Sequence, residues 1–585
     1  MSAAVQRFSF PLDVYAWLIE REGGRVDDLH YGLFERPDEP AAVVQQRAAD
    51  FLFNHLPPPC KVLDVGSGLG TTLARLLAAG YQAQGITPDA AQVEVIRARL
   101  GEGSPIHRVR LEDFAVEAGR WQLLLFQESA QYIDGLDLFE AADRLLAEEG
   151  EIVIIDEFAL RRDESGRVIL HYLPHFLAWA ERFGFAVHTR IDLTAQAAPT
   201  VDWLLRQLEA HAEDVRRELG HDEEKLAQLL AAHREYQARY RDGRYGYFLL
   251  RLQRTRRLRW RLGRISDATR AQPMRQLFAT VFGHEMSAAH WQWKYGDGRG
   301  VGIGVWDERG ELIAHYGGLT RAALLRGQPC LAFCAADFMV APAARGALTR
   351  KGPAFLAAAT FLEHELGYGA PHRVGIGFPN RRAFALPEKL GLYRGVLTRI
   401  MEVSLASTAS GPRWLEKVRP LDLAKPAALA EAEACWQEMQ SGLGDWNVLV
   451  RDGQWLVHRY GQCHDHRPQQ PYRVFVVRRR LTGRPLGVLV LRLAEDGRCE
   501  LLDLVGALPR LPALLRQARR LAAQLGASTM FFWAAEEMLP LLRLPAEARV
   551  ADIDVLVPGN GWTEGPALAE LAGRWWLMGG DTDCH

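Results

Sequence analysis

The chain has 585 residues, room for several domains, and its 48% hydrophobic and 24% charged content is ordinary for a soluble globular protein. With 70 basic against 72 acidic residues the net charge is -2, which offers no field for gripping phosphate backbones, so nucleic acid is not an expected partner. Neither a basic-then-apolar leader nor a run of 18 apolar residues occurs, and the seven cysteines are scattered without a CxxC pair, so a reduced cytosolic protein without a membrane partner is expected.

From Lys61 to Glu157 short apolar strands alternate with helical stretches, the pattern of a parallel α/β sheet. The strands read as Lys61–Val65, Ala83–Ile86, Ile106–Arg110, Leu123–Gln127 and Ile152–Ile155. After Phe185–Ile191 a long helical, charged stretch (Val201–Arg241) returns to an apolar run from Tyr245, expected as an antiparallel edge strand. The basic run Arg254–Arg264 marks a change of rhythm, read as a solvated linker or a first strand with an exposed face.

Beyond it the pattern is α+β. Strands at Gly302–Asp307, Leu312–Thr320 and Ala332–Val340 lead to a helix at Gly352–Leu366, a strand at Arg373–Phe378 and a helix at Arg381–Lys389. From about Ile400 the rhythm repeats more loosely, with strands at Arg473–Arg479, Gly487–Leu493 and Cys499–Val505 and a helix at Leu511–Leu525. The expected domains are 1–255, 256–400 and 401–585. Cys463-His464-Asp465-His466 has metal-ligand residue types, but four adjacent residues rarely converge on one ion, and a polar loop is preferred.

The chemistry starts where the first strand runs into Asp64-Val65-Gly66-Ser67-Gly68-Leu69-Gly70 and then a helix. Glycines let the backbone turn sharply and approach a ligand without Cβ collisions, and the helix entered at Thr71 offers free N–H groups to an anionic end. The G-x-G-x-G spacing disfavours the dinucleotide fingerprint. Asp64 alone would also suit loop capping.

From His30-Tyr31-Gly32-Leu33-Phe34 to about Leu252 the chain resembles class I S-adenosylmethionine (SAM) methyltransferases acting on small molecules. The resemblance implies a Rossmann-like domain. It implies that Tyr31 packs over the cofactor near the sulfonium, with core packing as its other reading. Gly85-Ile86-Thr87-Pro88-Asp89-Ala90-Ala91-Gln92 is similar to the G-I-T-x-S-x-x-Q segment of sarcosine, tocopherol and cyclopropane-type enzymes. The acid that many relatives use for the ribose is absent there, which leaves Thr87 and Gln92 as the implied contacts and Asp89 as a weaker one. Glu112 and Asp113 match the acidic segment that receives the adenine amino group, and Gln127 and Glu128 lie where cofactor and acceptor meet. Tyr31, Asp64, Gly66, Ser67, Gly68, Thr87, Gln92, Glu112, Asp113 and Gln127 make up the implied cofactor site. Glu128 and Tyr132 are the catalytic candidates. His171, Tyr172 and His175 are further acceptor-side candidates; the two histidines share a helix face but lack a third zinc ligand.

Asp337-Phe338-Met339-Val340-Ala341-Pro342 resembles the fourth strand of the GNAT family of N-acetyltransferases. In that family the strand splays from its neighbour and pairs with the pantetheine arm of acetyl-CoA or another acyl-CoA, which implicates Met339 and Val340. The following loop keeps Gly352 and Ala354 of the family's phosphate cradle but has Thr349 at its first position, with Arg345, Arg350 and Lys351 supplying charge. Asn380 and Lys389-Leu390-Gly391 are similar to the family's ending. Pro387 stands where the family often has a tyrosine that protonates the thiolate, Tyr393 lies near it in sequence, and Asp337 is a candidate base on an acceptor amine. The last section looks like a second, degenerate copy, because Val505–Pro512 lacks the glycine arrangement. The segment around Trp575 and Trp576 reads as an ordered terminal element packed by its tryptophans.

The expectation is therefore an α/β protein, a Rossmann-like methyltransferase domain followed by two α+β GNAT-like domains. It would methylate a small molecule, with an amine one possibility, and transfer an acyl group to the same or a related one. The alternative keeps the methyltransferase beside a non-catalytic recognition or scaffold region.

Overall fold

The computed structural model describes residues 8–23, 26–115, 118–162, 164, 170–256, 259–265, 270–346, 349–408, 416–462 and 471–582. The Cys463–His466 run lies outside the described residues. Contacts divide the chain into two units, Met1–Gly263 and Arg264–His585.

In the first unit the strands are β1 (Lys61–Val65), β2 (Gln82–Thr87), β3 (Ile106–Arg108), β4 (Trp121–Gln127), β5 (Leu146–Ala159), β6 (Phe185–Asp192) and β7 (Tyr245–Arg254). They form one sheet in the order β3-β2-β1-β4-β5-β7-β6, parallel from β3 to β5. This is a doubly wound sheet of Rossmann type. β1 and β4 read as unbroken apolar runs because helices cover both faces of a parallel sheet.

The expectation for the Tyr245 run needs one correction. β7 is antiparallel to both neighbours, but it lies inside the sheet between β5 and β6, and β6 is the edge. Burial explains the order. Tyr245 to Leu250 are all buried, whereas β6 exposes most of its length, including His188 and Asp192. The charged stretch before β7 folds as two helices, Pro199–Leu219 and Glu223–Arg241, broken at the left-handed Gly220. Within the basic run, Arg261–Arg264 is a short strand, β8.

The second unit continues with β9 (Gly300–Trp306), β10 (Leu312–Leu325), β11 (Gln328–Val340), β12 (Val374–Ile376), β13 (Tyr393–Ala406) and β14 (Glu416–Pro420). Then follow β15 (Asn447–Leu449), β16 (Arg473–Arg479), β17 (Pro485–Leu493), β18 (Cys499–Gly506), β19 (Thr529–Ala535), β20 (Arg549–Asn560) and β21 (Trp575–Trp576). One sheet runs β12-β11-β10-β15-β21, with β9 also against β10, and the other runs β14-β16-β17-β18-β19-β13-β20. Strands are thus exchanged. β13 belongs to the later sheet, inserted between β19 and β20, and the late strands β15 and β21 belong to the earlier one. The expected division at 400–401 falls inside β13. A single apolar core reaches from Ala323 to Met578 across both sheets.

The exchange also buries charge. Arg451, fully buried, binds Asp503 at 3.0 Å and also Asp581, while the Tyr460 hydroxyl donates to Asp503 at 3.1 Å. Trp575 and Trp576 are wholly buried beside this network, so the terminal segment is held by packing and ion pairing together. Among the described residues no helix is long and apolar enough to cross a membrane. Removing the cation should leave two buried carboxylates facing each other. Arg451→Met is expected to destabilise the second unit by about 3–5 kcal/mol, read as a lower denaturant midpoint for its unfolding transition.

Candidate active site

A cavity of about 590 Å³ opens at the carboxyl ends of β1, β2 and β4, the crevice where open α/β sheets take ligands. Its floor is the loop after β1. Gly66, Gly68 and Gly70 all have positive φ, at 76°, 52° and 76°. A β-carbon on Gly66 would lie 2.5 Å from that of Ser129, and one on Gly85 2.4 Å from the Ser67 hydroxyl, so Gly66 excludes a side chain by contact as well as by torsion and Gly85 by contact.

Asp64, Gly66, Ser67, Gly68, Thr87, Gln92, Glu112, Gln127, Glu128 and Tyr132 all line this cavity. The Thr87 hydroxyl donates to Gln92 Oε1 at 2.7 Å and the Thr72 hydroxyl to Gln127 Oε1 at 2.6 Å, fixing the side chains that frame its walls. Asp89 also reaches it, but its Oδ1 accepts from the Ala91 and Gln92 N–H groups and caps the helix Ala90–Leu100. Asp113 is exposed and stands outside the lining. Tyr31 also lies outside it. Its ring stacks on Tyr247 with centroids 5.5 Å apart, and its N–H donates to Glu128 Oε1 at 2.7 Å. His171 meets the Ala130 carbonyl at 2.9 Å, and neither it, Tyr172 nor His175 lines the cavity.

Asp64 is 2% exposed, and its Oδ2 has no hydrogen-bond partner among the described residues. Burial pushes its carboxyl up to about 6, partly offset by the Ser67 hydroxyl. An unpartnered buried carboxylate oxygen is costly unless a donor, best a cation, arrives with a ligand.

Sequence reasoning passed over a second carboxylate group behind Glu128. Glu128 sits at φ 51°, an uncommon conformation for a residue with a side chain, and burial raises its carboxyl against the opposing pull of His30. Its Oε1 accepts the Tyr247 hydroxyl at 2.6 Å. On β5, Asp156 accepts from the Gln131 N–H at 3.1 Å, and Glu157 accepts from the Tyr240 hydroxyl at 2.6 Å. Burial, with Glu128 nearby, carries Asp156 well above the carboxylate range; burial carries Glu157 to about 7. These residues come from β4, β5 and β7 and the helix before β7, and no local motif joins them. Among the described residues no three His, Cys, Asp or Glu side chains are placed to hold a metal ion.

In the second unit Asp337 is buried at φ 50°, with Lys294 Nζ 3.0 and 2.9 Å from its two oxygens and the Tyr295 hydroxyl donating at 2.7 Å. Burial works to raise its carboxyl, and Lys294 and Tyr295 outweigh it and hold it low. Met339 is buried, and Val340 accepts from Arg345 Nε at 3.1 Å. Arg350 donates to the Leu390 carbonyl at 3.3 Å and lies over the Trp562 ring, while Gly352 and Ala354 open the helix Pro353–Glu365. Asn380 caps the next helix by accepting from the Ala383 N–H. β11 and β12 pair only at 332–334 with 374–376 and then separate, and Tyr316 and Tyr393, hydroxyls 3.3 Å apart, line a cavity of about 20 Å³ there.

No family model matches the chain, and no curated protein matches it. Among solved structures it is similar to a candidate sarcosine dimethylglycine methyltransferase from Galdieria sulphuraria, at 16% identity over 43% of this chain and 99% of that one, with TM-score 0.37. It is similar to geranyl diphosphate C-methyltransferase from Streptomyces coelicolor A3(2), solved with Mg2+, geranyl diphosphate and S-adenosyl-L-homocysteine (SAH), at 19% identity over 42% and 99% of the chains, TM-score 0.32. The mycolic acid cyclopropane synthase CmaA1, complexed with SAH and CTAB, gives 18% identity over 43% and 97%, TM-score 0.36.

The raised Glu157 carboxyl has a stability consequence. Unfolded, it loses its proton near 4.5, and folded near 7, so the native state binds more protons between those values and stability falls as pH rises through them. The loss is complete above the folded value and amounts to roughly 3 kcal/mol. Glu157→Gln keeps an acceptor for Tyr240 and removes the charge. Its melting temperature relative to the parent protein should therefore be more favourable at about pH 8.5 than at about pH 5, by differential scanning fluorimetry.

Proposed function

We propose that residues 1–263 form a SAM-dependent methyltransferase acting on a small molecule. The observation that carries this reading is the Asp64 carboxylate, buried at the end of β1 with Oδ2 unpartnered among the described residues, beside a glycine loop whose Gly66 has no room for a β-carbon. The cavity fits the cofactor's chemistry. Asp64 would receive its amino group, the N–H groups of the loop and the following helix its carboxylate, Thr87 and Gln92 its ribose hydroxyls, and Glu112 its adenine amino group. When bound, the cofactor supplies a methyl group already activated on a sulfonium. What remains for the chain is alignment, exclusion of water and, where the acceptor must lose a proton, a base. Glu128 is placed for that last task, facing the cavity with its carboxyl raised by burial.

Asp64→Ala tests the assignment. It should weaken SAH binding by about a hundredfold, the loss of a buried charged hydrogen-bond partner, and leave binding of any other ligand of residues 264–585 unchanged. Unaltered SAH affinity by calorimetry would refute the site.

A second activity, acyl transfer from CoA by residues 264–585, is favoured by the separation of β11 from β12. That separation leaves the 335–340 edge away from β10 without a strand partner among the described residues, close in sequence to the helix Pro353–Glu365 and the cations Arg345, Arg350 and Lys351. Tyr393, paired with Tyr316 at that opening, is placed to protonate a thiolate where Pro387 cannot. The tied carboxylate of Asp337 favours the alternative, a recognition region without catalysis. Acetyl-CoA titrated into the full chain separates them: micromolar binding lost in Arg350→Ala is expected for the acyltransferase, and no binding leaves recognition alone.

A further inference from the structure

The cavity of the first unit is lined by more carboxylates than its own cations satisfy. Asp27, Asp28, Asp64, Asp89, Glu112 and Glu128 face it, against Arg110 and His30. Three of the six are engaged by the protein. Asp27 pairs with Arg99 at 3.1 Å, Asp28 with His30 at 3.6 Å, and Asp89 caps a helix. Arg110 is exposed.

That leaves Asp64, Glu112 and Glu128. The cofactor reading gives the first two an amino group each, and it gives Glu128 nothing. Both hydrogen bonds to Glu128, from the Tyr31 N–H and the Tyr247 hydroxyl, end on Oε1, and Oε2 has no hydrogen-bond partner among the described residues. Behind it lie the buried carboxyls of Asp156 and Glu157, and neither forms an ion pair with a lysine or arginine among the described residues. Tyr132, 81% exposed, lines the same cavity. A cavity-facing carboxylate with an unpartnered oxygen, in a wall that also carries a tyrosine ring, forms an environment that takes an organic cation.

We infer that the methyl acceptor enters as an organic cation, an ammonium group held by Glu128 Oε2 on the wall that carries Tyr132; where that nitrogen is the atom methylated, it first gives its proton to Glu128, and the freed lone pair takes the methyl group as the sulfonium C–S bond breaks. This rests on the methyltransferase reading for the word acceptor. The charge preference itself comes from the cavity wall. A neutral phenol, alcohol or terpenoid, or a carboxylate, would leave Glu128 without a partner or face it with like charge.

Calorimetry on the full chain with choline and its uncharged carbon isostere, 3,3-dimethylbutan-1-ol, tests the inference in the presence and absence of SAH. Choline should bind about tenfold more tightly than the alcohol. Glu128→Gln, which preserves an acceptor for Tyr31 and Tyr247, should erase that preference while SAH affinity is retained. Tyr132→Leu, at a position too exposed to threaten folding, should weaken choline several-fold and spare the alcohol. Equal affinity for the two probes, tighter binding of the alcohol, or binding of neither at millimolar concentration overturns the inference. The SAH titration reports separately on the cofactor: SAH binding without choline preference overturns the cation alone, and choline preference without SAH binding overturns the methyltransferase alone.

Discussion

Gly66 has no room for a β-carbon, and the geometry of the first unit depends on that. The backbone after β1 passes so close to Ser129, at the end of β4, that a methyl group on Gly66 would overlap its Cβ. On the other side Gly85 of β2 meets the Ser67 hydroxyl just as closely. These two contacts draw the ends of three neighbouring strands around one loop, and the Ser129 hydroxyl, donating to the Val65 carbonyl at 2.5 Å, ties β1 to β4 at the same place. The cavity is the space left above this knot. Its polar groups are set by backbone packing before any ligand is considered.

The electrostatics follow from where strands end. Parallel strands deliver Asp64, Glu128, Asp156 and Glu157 to their carboxyl ends, where Asp64, Asp156 and Glu157 are buried and Glu128 faces the cavity. Burial is the largest influence on all four, and it raises each. Tyrosine hydroxyls donate to two of them, which stabilises the acids without neutralising them. A site built this way is penalised in its own ionised state, and that penalty is relieved by a cationic ligand.

The second unit handles charge in the opposite way. Arg451 sits between Asp503 and Asp581, and Lys294 on Asp337, so its buried acids have internal cations. These pairs join elements far apart in the chain, Arg451 and Asp581 being separated by 130 positions. Arg451, just after β15 of one sheet, meets Asp503 on β18 of the other, so this pair ties the two sheets together.

Much of the first unit was legible from residues alone. Unbroken apolar strands, the glycine spacing and the order of Asp64, Thr87, Glu112 and Gln127 depend on local periodicity and short motifs, and the structure gathers those residues around one cavity. What periodicity could not order was the pairing of distant strands. The run from Tyr245 reads as antiparallel, but its place inside the sheet is decided by which faces are covered. The same holds for β13, whose partners β19 and β20 begin more than a hundred residues later, and for β15 and β21, too short to carry a pattern. Glu157, Tyr240 and Tyr247 were silent for a related reason: a lone acid or tyrosine on a buried strand carries no signal until another strand brings its partner within 2.6 Å. Local physics therefore determined the loop and the elements that hold it. Tertiary structure alone decided which side chains share the buried space, because burial and hydrogen bonding depend on neighbours distant in the chain.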